Sequence, residues 1–334
     1  MNSDLTIISV YHSDKSREFL ELNEQLARTF NSGRSWEWVA VNNTPLNYTG
    51  AHASKERFTL CKGIPQEELK DILEPWQWEM RGSYHHMMAL YKAFPLVKTR
   101  YALILDGDFY LIYPHWVREV LAYIKAHNLA LLGPPWHPRW WKKARYFPIH
   151  HALFIDTEKL PLASLDLMPT YKGPDDFPNL ENRERGIAWS KNIPFIQTLM
   201  RKLAQRAYIG ASRDAWYAMH RKYYRSSLRY ELLTPVHNPF VGMPSFIKII
   251  KQIFRIFIPD RLSYVPYPWT YTTRSFKDRG YFDAAGQGWE EFLWQGKPFG
   301  VHLRSTPGRA VRNRDEELLI LTSGLEMFTR SNAL

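Results

Sequence analysis

Tyr101-Ala-Leu-Ile-Leu-Asp106-Gly-Asp108-Phe-Tyr110 decides the fold. Its first five residues are apolar, follow a charged cluster and end at a glycine-containing turn, the pattern of a buried strand. The chain changes direction at Gly107, a residue type free to take backbone angles that others resist. Asp106 and Asp108 are left at the carboxyl end of a central strand, where open α/β sheets bind their ligands. Two hard carboxylate ligands there suit Mg²⁺ or Mn²⁺, and such an ion suits a diphosphate. Asp and Gly are also ordinary turn residues, so the surroundings decide what the pair means.

Those surroundings are α/β. Leu5 to Tyr11 reads as a strand, Asp14 to Phe30 as a helix with Phe19, Leu20, Leu22, Leu26 and Phe30 at helical spacing, and Trp36 to Val41 as a second strand. Strand, helix, strand in so short a span predicts a parallel βαβ unit. A short acidic helix is expected over 66–73, and a longer one from Gly82-Ser83 to about Phe94, with Ser83 as its cap. Further helices are expected at 116–126, 214–224, 289–292 and 315–328, and strands at 129–132, 152–155 and 230–236. The polar, proline-broken stretch from Ser164 to Asn192 reads as a loop over the site. The predicted architecture is α/β: a mostly parallel central sheet flanked by helices, with a C-terminal extension and an amphipathic helix.

Composition bounds the possibilities. The 334 residues are 45% hydrophobic and carry a formal net charge of +11, with one cysteine, 13 Trp and 19 Tyr. A single cysteine excludes a disulfide framework and a thiolate metal site, and fits a reducing compartment. The aromatic excess suggests a lined binding cleft or a membrane-facing surface. Basic charge draws nucleic acid, anionic lipid or phosphorylated substrates. The cations are scattered, with no run of five or more, so nucleic acid is not expected as a partner. The first ten residues lack the pattern of a signal peptide, and no uncharged apolar run is long enough to span a bilayer.

Individual side chains narrow the chemistry. The start of the helix after Arg81 is a natural anion site, placing Ser83 and His85 or His86 near a bound phosphate. His85 and His86 are adjacent, so one at most is expected to point into a given cleft. His302 lies in the apolar segment Pro298-Phe-Gly-Val-His-Leu-Arg304, which reads as a buried strand, and Arg304 is placed to clamp phosphate bidentately.

Four segments together, Thr6-Ile-Ile-Ser-Val-Tyr11, Trp38-Val-Ala-Val-Asn42-Asn43, Gly82-Ser83-Tyr84-His85-His86 and Tyr101-Ala-Leu-Ile-Leu-Asp106-Gly-Asp108-Phe109, resemble the family 2-like glycosyltransferases of the GT-A fold. The resemblance covers about residues 5–160 and is looser beyond. It implies a nucleotide-sugar donor and a metal cofactor, Mn²⁺ or Mg²⁺. It implies donor-site roles for Tyr11, Asn42 and Asn43; the family often carries Asp where Asn42 or Asn43 stands, and an amide both donates and accepts, which bears on nucleotide identity. It implies metal ligation by Asp108, by Asp106 (or a ribose contact from Asp106) and by His302. Ile209-Gly-Ala-Ser-Arg-Asp214 is similar to the family's acceptor-site turn, making Asp214 the expected general base, with Asp175 and Asp176 next. Asp214 also reads as a first-turn carboxylate answering a helix dipole.

Phe246 to Ile258 presents Lys248, Lys251, Gln252 and Arg255 on one narrow sector and apolar residues elsewhere, bracketed by Pro244 and Pro259. Such a helix lies in a membrane interface, with cations on anionic headgroups, or packs within a protein. The expected organisation is a catalytic domain over 1–240, an amphipathic insertion over 241–275 and a completing segment over 276–334. The expectation is a cytoplasmic glycosyltransferase, peripheral on the inner face of the cell membrane, that transfers a sugar with inversion to a saccharide or lipid-linked acceptor. A nucleotidyltransferase is the rival enzyme, though Tyr11-His-Ser-Asp-Lys-Ser16 lacks the glycine-rich loop it would need. A non-enzymatic binder stacking bases on the Trp136–Arg145 segment is the other rival.

Overall fold

The computed structural model describes residues 4–33, 36–73, 77, 80–138, 147–169, 215–224, 226–238, 271–303 and 314–332. Asp175, Asp176, Asp214, Arg304 and the 246–258 helix therefore lie outside the described residues.

Among the described residues, eleven strands form two sheets. The larger holds β1 (Leu5–Tyr11), β2 (Glu37–Asn42), β3 (Thr59–Lys62), β4 (Tyr101–Leu105), β6 (Leu131–Gly133), β7 (Ala152–Asp156) and β8 (Tyr230–Leu232) in the order β3-β2-β1-β4-β7-β6-β8. Four of its six pairings are parallel: β2 with β3, β1 with β2, β1 with β4, and β6 with β8. Strand β7 runs antiparallel to both β4 and β6. The expected mostly parallel α/β sheet is present.

Period two explains how both faces are covered. Leu5, Ile7 and Tyr11 of β1, with Leu103 and Leu105 of β4, join one core with α1 (Asp14–Phe30) and α4 (Trp116–Ala126). Ile8, Val10, Ala102 and Ile104 join the opposite core with α3 (Arg81–Ala93) and α5 (Tyr217–Tyr223). Successive side chains point to opposite faces, and a strand buried on both must be apolar throughout. Each large aliphatic side chain buried this way contributes about 1.5–3 kcal/mol over exposure.

Helix α1 matches the expected bounds because Ser13 and Ser16 close a reciprocal capping box at its start. Helix α3 departs from expectation. Met80 already lies in a 3-10 turn, so the helix starts at Arg81 and Ser83 sits inside its first turn instead of capping it. The short α2 (Leu69–Ile72) follows a 3-10 turn at Gln66–Glu68.

The second sheet has the order β5-β11-β10-β9 and is antiparallel throughout: β5 (Phe109–Leu111), β9 (Thr234–Val236), β10 (Glu290–Trp294) and β11 (Lys297–His302). Strand β10 corrects the helix expected over 289–292. Its two acids are satisfied by neighbours distant in sequence, so all five residues are buried without an alternating pattern to show it. Helix α6 (Arg314–Asn332) follows. No helix among the described residues is long and apolar enough to cross a membrane.

Candidate functional site

The Asp-Gly-Asp turn joins the two sheets. Strand β4 delivers Asp106; the Phe109 amide donates to the Asp106 carbonyl at 3.0 Å, closing a four-residue turn, and β5 begins at once. Gly107 is not in the left-handed region, and an added Cβ would stand 3.5 Å from the Ser16 carbonyl oxygen, an ordinary contact. The turn therefore does not rest on glycine's special angles, contrary to the expectation from sequence. Buried Asn23 of α1 holds it instead, donating from Nδ2 to the Phe109 carbonyl at 2.7 Å and lying 3.4 Å from that of Gly107. The Leu303 amide donates to the Asp108 carbonyl at 2.9 Å, continuing the β5–β11 ladder and bringing His302 alongside.

His302 is almost fully buried. Its Nε2 lies 3.4 Å from Asp108 Oδ1, and its Nδ1 lies 2.8 Å from Glu290 Oε2. Glu290 and His302 are direct cross-strand partners. A carboxylate on one ring nitrogen fixes the imidazole and turns the other toward the cleft, as outer-shell carboxylates do for metal-binding histidines.

Asp106 is flanked by imidazoles. Its Oδ2 is 2.5 Å from His151 Nδ1, and its Oδ1 is 3.3 Å from His86 Nε2. Register accounts for His151: β7 pairs antiparallel with β4 so that Leu105 faces Ala152, and the Asp106 amide donates to the His151 carbonyl at 2.9 Å. His150 precedes it, with its ring 5.7 Å from that of His86. Trp136 packs edge-on against His151 with ring centres 5.0 Å apart. Donor atoms of Asp106, His151 and His302 lie within 4.8 Å of one another, and so do those of His86, Asp106 and His150.

Burial opposes ionisation of Asp106, but the imidazoles of His151 and His86 outweigh it and hold the carboxyl well below its ordinary value. Crowding opposes ionisation of Asp108 too, and His302 outweighs that, so Asp108 is also lowered. Burial pushes His302 down, while Asp108 and Glu290 push it up more strongly, to about 10. The Asp108 side chain is still 42% open, so solvent screens the pairing and little stability follows from it. Both carboxylates are thus ionised and converge with imidazole nitrogens. Oxygen and imidazole donors together fit Mn²⁺, and Asp106 Oδ1, buried and without a hydrogen-bond partner among the described residues, is available to a cation.

Three adjoining cavities meet at this point, and His86 borders all of them. One of about 460 Å³ runs along Val10, His12, Asn43, Arg81 and His85. One of about 280 Å³ is bordered by Ser83, Asp106, Asp108, Trp136, Ala215 and His302. The third, also about 280 Å³, lies between the start of α1 (Ser13, Lys15, Ser16) and the Asp-Gly-Asp turn.

The remaining sequence candidates take varied places. Tyr11 is fully buried in the core beside α1 and borders none of these cavities. Asn42 accepts from the Thr44 amide and hydroxyl and meets His52. Buried Asn43 accepts from the Ile64 amide and donates to the His85 carbonyl, and it still borders the cavity of about 460 Å³. The His85 ring nitrogen Nε2 stands 2.5 Å from the Ile64 carbonyl. His85 and His86 both border that cavity, where one was expected, because the cleft wraps around the start of α3. Trp216 is core, donating from Nε1 to the Pro148 carbonyl at 2.5 Å. Sequence reasoning passed over His12, Glu290, His150 and His151. The His150-His151 pair before the apolar run Ala152–Ile155 was the available signal.

No family model matches the chain, and no curated protein matches it. Solved structures do. One is the galactosyltransferase LgtC with donor and acceptor sugar analogues, 9% identical over 46% of this chain and 58% of that one, TM-score 0.30. Another is the mannosyltransferase PcManGT from Pyrobaculum calidifontis with GDP-Man and Mn²⁺, 12% identical over 48% and 46%, TM-score 0.33. A third is a glycosyltransferase involved in glycosylation of the major capsid of PBCV-1, 15% identical over 71% and 82%, TM-score 0.26. The chain thus spans about half the length of the first two. These likenesses transfer no residue role.

Proposed function

We propose that the chain is a divalent-metal-dependent glycosyltransferase that moves a sugar from a nucleotide-diphosphate donor to a hydroxyl of a saccharide or lipid-linked acceptor. One observation carries this reading: at the carboxyl end of β4, Asp106 and Asp108 converge with a His302 ring braced by Glu290, where three cavities meet. Asp108, His302 and Asp106 would hold Mn²⁺ or Mg²⁺, which when bound neutralises charge gathering on the departing diphosphate.

The cavity beside Val10, Asn43 and Arg81 has the size and hydrogen-bonding edge for the nucleoside. The diphosphate would lie against the starts of α1 and α3, where the helix dipole favours anions. Lys15 and Arg81, at the borders of two of these cavities, add positive charge. The sugar and acceptor would meet beside Trp136 and Ala215. Asp214 is the neighbour of Ala215 in sequence, which supports it as the base that takes the acceptor's proton in a single, inverting displacement. Arg304 would clamp phosphate, and the 246–258 helix would seat the enzyme on the anionic inner face of the cell membrane.

The test is a thermal-shift panel of nucleotides and nucleotide sugars with and without Mn²⁺, on the wild type and on Asp108→Ala. A selective ligand should raise the melting temperature only with metal, and not in the variant. Equal shifts without metal, or none for any nucleotide, overturn the reading.

A further inference from the structure

We infer that Asp106 is shared between two cation positions. Its Oδ2 side belongs with His151 and His302; its Oδ1 side forms, with His86 and His150, a second and imidazole-rich site for a transition-metal dication such as Zn²⁺ or Co²⁺. The inference rests on the proposed function only in naming the first position the donor's.

The Oδ1 side is built for a ligand. Asp106 Oδ1 and His86 Nε2 are buried atoms without a hydrogen-bond partner among the described residues, although only 3.3 Å separates them. Leaving such atoms unsatisfied forfeits their hydration, so an ion pair that merely ties α3 to β4 would close to hydrogen-bond geometry. Two ligands about 2.0–2.1 Å from one tetrahedral ion stand about 3.3 Å apart. His150 brings a third donor atom within 4.8 Å of both. His86 comes from α3 and His150 from the segment before β7, so the site is assembled by tertiary packing around the tip of β4. Two imidazoles and one carboxylate favour Zn²⁺ or Co²⁺ over Mg²⁺, which prefers oxygen. His302 has no part in this group, and Asp108 lies beside His302 on the other side of Asp106, which separates the group from the donor position.

Co²⁺ is the probe. The full-length protein, untagged and stripped by chelator, is titrated without nucleotide and followed by visible absorption and metal stoichiometry. A Co²⁺ ion should bind to the wild type and to Asp108→Ala alike, and about tenfold or more weakly to His86→Ala and His150→Ala. His86→Gln, similar in size and checked by its melting curve, covers the case in which an alanine variant misfolds. Absence of nucleotide-free Co²⁺ binding in the wild type overturns the inference, as does wild-type affinity in folded His86→Gln, or loss of the ion in Asp108→Ala. If Mn²⁺-dependent nucleotide binding fails in every form while Co²⁺ binding persists, the donor reading falls and the second site stands.

Discussion

Glu290 and His302 face each other across the β10–β11 pair, with Oε2 2.8 Å from Nδ1, both side chains almost fully buried. The carboxylate settles the orientation of a ring whose other nitrogen looks at Asp108. Replacing it by Gln leaves a neutral acceptor of the same shape and removes the charge that holds the ring.

Glu290→Gln should therefore keep the fold and weaken Mn²⁺-dependent nucleotide binding by about 10–100-fold. Calorimetric titration with and without Mn²⁺ reads this directly. Unchanged affinity would make Glu290 a packing residue only.

Asn23 ties α1 to the turn through carbonyls that have moved out of water. Asn23→Ala strands them, so unfolding free energy should fall by about 1–3 kcal/mol. Denaturant unfolding measures it, and a loss under about 0.5 kcal/mol would show that water takes over the bonds.

Two glycines near the site should behave oppositely. A Cβ at Gly300 would fall 2.6 Å from Phe109 Cε1 and 3.1 Å from the Tyr110 carbonyl, in a fully packed core. Gly300→Ala should cost about 1–3 kcal/mol and disturb Asp108, which adjoins Phe109. Gly107→Ala meets no such contact and should fall within about 0.5 kcal/mol of the wild type. Equal melting temperatures for the two variants would contradict the close approach of β11 to β5.

Glu291 points away from His302 and accepts the amides of Phe276 at 2.8 Å and Ala285 at 2.9 Å. Burial raises its carboxyl to about 7 from an ordinary 4.5, despite those amides. The folded state then holds the proton more tightly than the unfolded chain. The resulting stabilisation is complete below pH 4.5, fades as pH rises and is gone above about 7. It amounts to roughly 3 kcal/mol at most. Melting curves from pH 4.5 to 7.5, wild type against Glu291→Gln, should show this slope in the wild type alone. Parallel slopes would place the titration elsewhere.

Much of the fold was legible locally. The helices over 14–30 and 116–126 follow from apolar spacing and, for the first, a serine cap, and both appear with the expected bounds. The run Tyr101–Leu105 placed Asp106 and Asp108 at a strand end because an all-apolar pentapeptide must be buried on both faces. Strand β10 was illegible, since Glu290 and Glu291 look solvated until one meets His302 and the other two distant amides. His150 and His151 became site residues through the register of β7 on β4.

Sequence by itself determined many of the elements, though not β10, and the two carboxylates at the tip of β4, because helical period, capping and strand burial act between near neighbours. Tertiary structure alone decided which nitrogens those carboxylates meet. His86, His151, Glu290 and His302 arrive on four separate segments, and only sheet register and helix packing bring them to one point.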